Sequence, residues 1–433
     1  MSFLPTSPED LKNLLSAIGI EDVEQLFSAI PKEARHKGPL KVEGPLDELT
    51  LRRRFQAIPL RAVFLGGGVY HHFIPAVVDS IASRQEFLTA YTPYQPEISQ
   101  GTLQAMFEFQ SMMASLTGMD ASNASMYDGA TALAEAAIMA TRIKDIKRIV
   151  ISRSTNPAYR FVLKTYLRNN HEVEVVEVPF DPATGRVNAQ ALEKLVDGNV
   201  AFFLQQPNYF GVIEDMETVS RIAAKAGFWG VVVSEAASLG LLKPPGSFGC
   251  DVVLGEAQSF GNPANAGGPL LGFFCTRKEH IRRIPGRIVG LTKDTAGNRA
   301  FCLTLSTREQ HIRREKATSN ICTNEGLCAL RATIYLSALG PKGLRDVAVQ
   351  SAAGARTLVS ALEKKGIKPV FAGEVFDEFV IPMDTGTFKN IQDSGIACGI
   401  PLGPNYPEMK DAVLMTMTEM NTNEDIRCLT ELL

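Results

Sequence analysis

Three stretches of the chain place polar residues at turns where chemistry can be done. Ser125-Met126-Tyr127-Asp128-Gly129-Ala130-Thr131 is a small-residue turn that opens an alanine-rich helix. A helix N-terminus presents free N–H groups and the positive end of the helix dipole, which suits a phosphate. The plainer reading is an ordinary Asp128 N-cap. Val231-Val232-Val233-Ser234-Glu235 is an apolar strand ending in a carboxylate. Ligands of open α/β sheets bind at such ends, although a surface acid at a strand end gives the same pattern. Gly255 to Gly268 contains Asn262-Pro263 and Gly267-Gly268 and by itself predicts only tight turns. Together the three suit a phosphorylated, carbonyl-type cofactor.

The elements that would position these turns follow from hydrophobic periodicity. Ile149-Val150-Ile151 reads as a strand before a helix over Ala158 to Arg168. A strand over Glu172 to Val176, a helix over Asn188 to Val196 and a strand over Val200 to Leu204 come next. A helix over Met216 to Ala226 and a strand over Gly230 to Val233 complete the alternation. Short apolar strands alternating with helices predict a largely parallel sheet. Before it, Ser7-Pro8-Glu9-Asp10 reads as an N-cap, a Pro at the first helical position and acids in the first turn. Gly19 ends that helix, and His36 to Glu48, with Gly38-Pro39 and Gly44-Pro45, reads as an extended arm. The helical pattern of Asn324 to Leu339 leads into a smaller region with a turn at Gly366 and strand-like Phe379-Val380-Ile381. The expected division is an arm over 1–60, a large α/β domain over 61–323 and a small α+β domain over 324–433.

Bulk properties exclude several functions. The chain has 433 residues, 45% hydrophobic and 21% charged, with a net charge of -3. Such a balance is ordinary for a globular protein and recommends neither nucleic acid nor an anionic membrane as partner. The seven cysteines have no CxxC pair and read as reduced thiols of a cytoplasmic protein, and no metal site is expected. Met1-Ser2-Phe3-Leu4-Pro5 lacks the basic-then-apolar pattern of a signal peptide. No apolar run approaches the ~20 residues of a membrane span.

Two longer motifs point to a family. Tyr91-Thr92-Pro93-Tyr94-Gln95-Pro96-Glu97-Ile98-Ser99-Gln100-Gly101 closely resembles a signature of glycine cleavage P-proteins, as does the run from Thr307-Arg308-Glu309-Gln310-His311 to Ser319-Asn320-Ile321-Cys322-Thr323-Asn324. Gly255-Glu256-Ala257-Gln258 to Gly267-Gly268-Pro269 adds a third match, and the resemblance covers essentially the whole chain. It implies an α/β fold of the pyridoxal-phosphate-dependent transferase type (aspartate aminotransferase, fold type I). It also implies a reaction: pyridoxal phosphate forms a Schiff base with glycine, CO2 leaves, and the aminomethyl group passes to lipoate on the H-protein. In some members of the family two homologous halves form one chain; in others they are separate α and β subunits. The present chain is similar to the separate N-terminal half. That implies a homologous β subunit in an α2β2 assembly, and the H-, T- and L-proteins of the same system as partners.

The resemblance also implies where a cofactor lysine would be. It sits shortly before a Gly-rich loop ending in Pro, and counting back from Gly267-Gly268-Pro269 reaches Gln258, within one or two residues. No Lys occurs between Lys243 and Lys278. A primary amide has no nucleophilic amine for a Schiff base. Asp128 falls in the implied phosphate turn, next to Thr131, where a carboxylate ~4 Å from a phosphate costs about 1 kcal/mol per charge pair in water and about 4 at an effective dielectric of 20. Glu235 falls where such enzymes keep an Asp for the pyridine nitrogen, one methylene longer. The expectation is a degenerate cofactor pocket (Asp128, Thr131, Glu235, Gln258), no covalently bound cofactor, no catalytic residue acting within this chain alone, and pyridoxal phosphate on the β subunit.

The preserved motifs then need another use. Tyr91, Thr92, Tyr94, Gln95, Glu97 and Gln100 are expected to line the partner's active site, the alternative being a plain turn into a helix capped by Ser99. Arg308, Arg313, Arg314 and Lys316 are expected to hold the subunit interface or guide an anionic surface, the alternative being a solvated helix face; His311 in the same motif reads as a core or interface histidine or as a proton carrier, and Asn320 belongs to the motif. Two rival readings remain open: a self-contained enzyme using a lysine elsewhere, such as Lys293, and a purely structural partner of the β subunit.

Overall fold

A computed structural model describes residues 6–55, 60–88, 92–265, 267–305, 308–322 and 324–433, with His311 described by its backbone only. The chain forms two compact units, Met1–Ile58 and Pro59–Leu433.

In the first unit the helix Pro8–Ala17 starts at Ser7, whose side chain accepts from the Asp10 N–H in a capping box. Asp47 caps the helix Glu48–Arg54 in the same way. Lys32–Ala34 is a single 3-10 turn, and the stretch between it and Glu48 has neither helix nor strand. None of the described residues of this unit is buried, so its apolar side chains, Leu14, Ile18 and Phe55 among them, remain exposed.

The second unit is built on a seven-stranded sheet. Its strands in chain order are β1 (Ala121–Ser122), β2 (Arg148–Ser152), β3 (Glu174–Val178), β4 (Val200–Gln205), β5 (Phe228–Val233), β6 (Val252–Glu256) and β7 (Gly272–Thr276). Across the sheet they lie in the order β3-β2-β4-β5-β6-β7-β1, all parallel except β7. The crossover helices predicted from periodicity are present as Pro157–Leu167, Ala189–Leu195 and Met216–Ala223. Strand β3 begins two residues later than its apolar pattern suggested.

Strand alternation divides the core into two layers. Val150, Phe202, Leu204, Val231, Val233 and Val253 face the helices Gln100–Thr117 and Gly326–Glu363. Ile149, Ile151, Phe203, Val232, Val252 and Leu254 face the helices Gly129–Lys144 and Pro157–Leu167. Each such buried side chain contributes about 1.5–3 kcal/mol, and together they hold the strand ends in register.

Helix Gly326–Glu363 is broken at Gly340 (φ 63°, ψ -177°), just before Pro341, which cannot continue the hydrogen-bond ladder. Beyond it, Glu378–Pro382 and Ile400–Pro401 flank Ala412–Thr416 in an antiparallel three-stranded sheet. Ala62–Val63 pairs in parallel with Ile396–Ala397. No described helix is long and apolar enough to cross a membrane.

Gly211 joins this small sheet to the large one. Its φ is +77°, and a Cβ there would lie 1.8 Å from the carbonyl oxygen of Glu378. Backbone strain and that clash act together, so Gly211→Val is expected to lower stability by about 2 kcal/mol or more. Thermal unfolding checks this; an unchanged Tm contradicts the packing described.

Candidate functional site

The carboxyl ends of β2, β4, β5 and β6 converge with the N-terminus of helix Gly129–Lys144, where a parallel sheet offers its ligand crevice. Asp128 is the N-cap: its Oδ1 accepts from the Thr131 N–H at 2.7 Å, and the Asp128 N–H donates to Thr131 Oγ1 at 3.3 Å. The first N–H of the helix, from Gly129, donates to Glu256 Oε2 at 3.1 Å. The other oxygen of Glu256 accepts from the backbone N–H groups of Gln258 (3.0 Å) and Leu271 (2.7 Å). Burial pushes the Glu256 carboxyl up to about 8 and the Asp128 carboxylate adds to this, while the three N–H donors pull the other way.

Gln258 is buried and its amide makes three bonds to nearby backbone. Its Oε1 accepts from Tyr70 N–H at 2.9 Å, and its Nε2 donates to the carbonyls of Tyr70 (3.1 Å) and Asn262 (2.6 Å). The Tyr70 hydroxyl donates to Glu378 Oε2 at 3.0 Å. Glu378 also accepts from Gly67 N–H and Thr416 Oγ1, and burial pushes it up to about 7.

Glu235 accepts from Ala237 N–H at 2.6 Å with one oxygen and faces His72 Nε2 at 3.5 Å with the other. The opposite ring nitrogen, His72 Nδ1, lies 2.7 Å from Glu419 Oε2. The His72 side chain is 1% exposed. Burial works to lower its pKa, but the carboxylates of Glu235 and Glu419 outweigh that and raise it to about 10.

The motif residues lie in a second cluster. Tyr94 is 53% exposed, and its hydroxyl accepts from Arg287 Nη2 at 2.9 Å while the guanidinium sits 5.2 Å from the ring centroid. Arg287 is buried and faces the equally buried Glu309 at 3.5 Å. A cavity of about 240 Å³ opens here, lined by Phe87, Leu88, Pro93, Arg287, Asn324 and Glu325 among others. The two family motifs therefore meet around Arg287. Thr92 is partly buried, and Gln95 and Glu97 are exposed. Gln100 instead bonds within the chain, pairing with Phe301 N–H (2.9 Å) and carbonyl (2.8 Å) and with the Pro96 carbonyl (2.7 Å). Arg308 likewise spans the carbonyls of Leu305, Ile284 and Gly286. Arg314, Lys316 and Asn320 are exposed, with Arg314 at φ 53°. Tyr91 lies outside the described residues, as does the side chain of His311.

A family model described as glycine cleavage system P-protein matches residues 1–433. The chain is 48% identical to a probable glycine dehydrogenase (decarboxylating) subunit 1 of Moorella thermoacetica, over 99% of this chain and 98% of that protein. A protein of the same name from Anaeromyxobacter dehalogenans is also 48% identical, again over 99% and 98%. Among solved structures, an inhibitor-bound glycine decarboxylase (P-protein) of the glycine cleavage system superposes with a TM-score of 0.85 at 39% identity, over 100% of both chains. The chain belongs to the glycine cleavage system P-protein family. An aspartate aminotransferase of Thermus thermophilus, 11% identical, shares the fold with a TM-score of 0.59 over 86% of this chain and 97% of that one. The fold is thus the pyridoxal-phosphate-dependent, fold type I architecture.

The residues of this P-protein chain do not fit pyridoxal phosphate. That cofactor asks for a lysine to form the Schiff base and an acid to pair with its ring nitrogen. Here position 258 is an amide bonded to backbone, Glu235 Oε2 faces His72 Nε2 at 3.5 Å with neither atom hydrogen-bonded among the described residues, and Glu256 takes the first N–H of the helix that would meet a phosphate. Of these groups the sequence pointed to Asp128, Thr131, Glu235 and Gln258. It did not single out His72, Glu419, Tyr70, Glu378 or Arg287. Glu256 lay inside a quoted motif without a role, and its place two residues before Gln258 on a strand end was the available signal.

His72 ties stability to pH. Its pKa is raised to about 10 when folded against 6.5 for the ordinary group, so its contribution is fully present below pH 6.5 and is lost as pH rises through 10. The charged groups facing it are Glu235, Glu419 and Asp377. Tm measured from pH 6.5 to 10 is expected to fall, and to fall less steeply in His72→Gln. Equal slopes contradict the assignment.

Proposed function

We propose that this chain is the subunit of the P-protein that does not carry the cofactor, and that it works with a homologous β subunit bearing pyridoxal phosphate. Together they decarboxylate glycine and transfer the aminomethyl group to the lipoyl group of the H-protein, in the cytoplasm and alongside the T- and L-proteins. The observation that carries this reading is Gln258, whose amide is bonded to the Tyr70 backbone where the family resemblance implies a Schiff-base lysine. Near-full-length identity to relatives named subunit 1 supports it.

Within that assembly the proposed task of this chain is to help bound the partner's site through the loop from Tyr91 to Gln100. Arg287 holds the Tyr94 hydroxyl from one side and is itself faced by the carboxylate of Glu309. A phenol gripped in this way keeps its orientation while half of its surface stays open, which suits a directional contact to a small substrate. Gln95 and Glu97 project beside it, and we assign neither a role as acid or base. Gln100 holds the loop onto the hairpin Ile288–Lys293/Arg299–Thr304, and Arg308 ties the second motif to the segment before that hairpin. We count Gln100 and Arg308 as positioning residues. Their internal use is also the observation that favours the second reading, in which the chain only keeps the β subunit in shape.

Turnover of the co-expressed complex separates the two. Tyr94→Phe and Gln95→Ala are each expected to lower turnover by roughly tenfold or more, equal to ~1.4 kcal/mol of transition-state stabilisation, with assembly and cofactor content unchanged. Variants that assemble and decarboxylate glycine at the normal rate leave the loop as scaffold and favour the second reading.

A further inference from the structure

We infer that the chain's own side chains fill the three places where such a cofactor would be held, and that two of these fillings, Gln258 on Tyr70 and Glu235 on His72, form with Glu378 and Glu419 a clasp, centred on His72, that fastens the small sheet to the large one. The inference rests on the reading that this chain does not carry the cofactor, and it adds what replaced it.

Each handle of the cofactor has a counterpart among these residues. A phosphate would take the N–H groups at the start of helix Gly129–Lys144; here Glu256 accepts from Gly129. A ring nitrogen would sit against the acid at the end of β5; here His72 Nε2 faces Glu235 at 3.5 Å. A Schiff-base lysine would extend from position 258; here the amide both donates to and accepts from Tyr70, which a lysine cannot do because it has no acceptor.

Two of the three counterparts, Gln258 and the Glu235–His72 pair, meet on one short segment, while Glu256 stays bonded to Gly129, Gln258 and Leu271. Tyr70 is held by Gln258 through its backbone and by Glu378 through its hydroxyl, His72 lies between Glu235 and Glu419, and Phe73 N–H donates to Glu419 Oε1 at 2.7 Å. Glu235 and Glu256 belong to ends of the large sheet, Glu378 lies on the small sheet, and Glu419 follows its strand Ala412–Thr416. A buried carboxylate (Glu235) and a partly buried one (Glu419) on opposite sides of a ring repel each other unless a cation stands between them. An imidazolium between them attracts both: His72 Nδ1 is at hydrogen-bond distance from Glu419, and Nε2 faces Glu235 as an ion pair at 3.5 Å without a hydrogen bond. The extra methylene of Glu235, compared with an aspartate, extends its carboxylate further from the strand end, toward the ring it faces.

Charge rescue in the co-expressed complex tests the clasp. His72→Gln is expected to lower Tm by several degrees, because it leaves Glu235 and Glu419 facing each other without a cation, and adding Glu235→Gln is expected to recover part of the loss. A His72→Gln complex that melts like the unaltered one, or a double variant that melts lower still, overturns the inference. As a second measurement, Gln258→Lys alone, incubated with pyridoxal phosphate and reduced with borohydride, is expected to carry no pyridoxyl label at position 258. Stoichiometric label there shows that only the lysine was missing and also overturns the clasp, whereas label on the unaltered chain would instead defeat the proposed function.

Discussion

Carboxylates buried at the carboxyl ends of a parallel sheet must be compensated, and the architecture of this P-protein chain depends on how that is done. Glu235, Glu256, Glu378 and Asp377 are all nearly inaccessible. Isolated charges in such a setting cost several kcal/mol each after relaxation. Backbone N–H groups bond Glu256 from three directions, hydroxyls and an N–H bond Glu378, and the His72 ring sits between Glu235 and Glu419. The donors to Glu378 and the ring between Glu235 and Glu419 come from segments far apart in sequence, so satisfying those acids also joins the two sheets; Asp377 Oδ2 has no hydrogen-bond partner among the described residues, and burial holds its carboxyl well above the usual carboxylate range.

On the proposed reading that the cofactor is carried by the β subunit, this is how a fold that serves pyridoxal-phosphate chemistry elsewhere persists in this chain. An emptied pocket would leave helix N–H groups, a strand-end acid and a cavity without partners. Here the carboxyl of Glu256, pushed up to about 8 by burial, accepts the helix N–H, the cation is a histidine, and the amide of Gln258 adds backbone bonds to Tyr70 and Asn262. The conserved architecture is then available for another task, which we assign to the Tyr94–Arg287–Glu309 cluster where the two family motifs meet.

Sequence made the repeating parts of this structure legible. Runs such as Ile149-Val150-Ile151 and Val231-Val232-Val233 carry their own evidence of being central strands, because both faces are buried. Capping at Ser7 and at Asp128 was readable because donor and acceptor lie three residues apart. Gln258 was singled out because a glycine-rich loop follows it, and the structure shows it buried and bonded to the Tyr70 backbone. His72, Glu419 and Arg287 were not: His72 and Glu419 are separated by 347 residues, and only the fold brings them together. The same holds for Gln100 and Arg308, whose types suggested outward contacts but whose bonds run to backbone carbonyls and an N–H of their own chain. Polar residues with long, bond-rich side chains look alike in sequence whether they face a partner or pin a loop.

The central claim is that this chain contributes to a P-protein active site without carrying its cofactor. Borohydride reduction of the wild-type co-expressed complex, followed by peptide mapping of both chains, tests it most directly. The account predicts one stoichiometric pyridoxyl label on a lysine of the β subunit and none on this chain. A stoichiometric label on any lysine of this chain, Lys293 included, would contradict it.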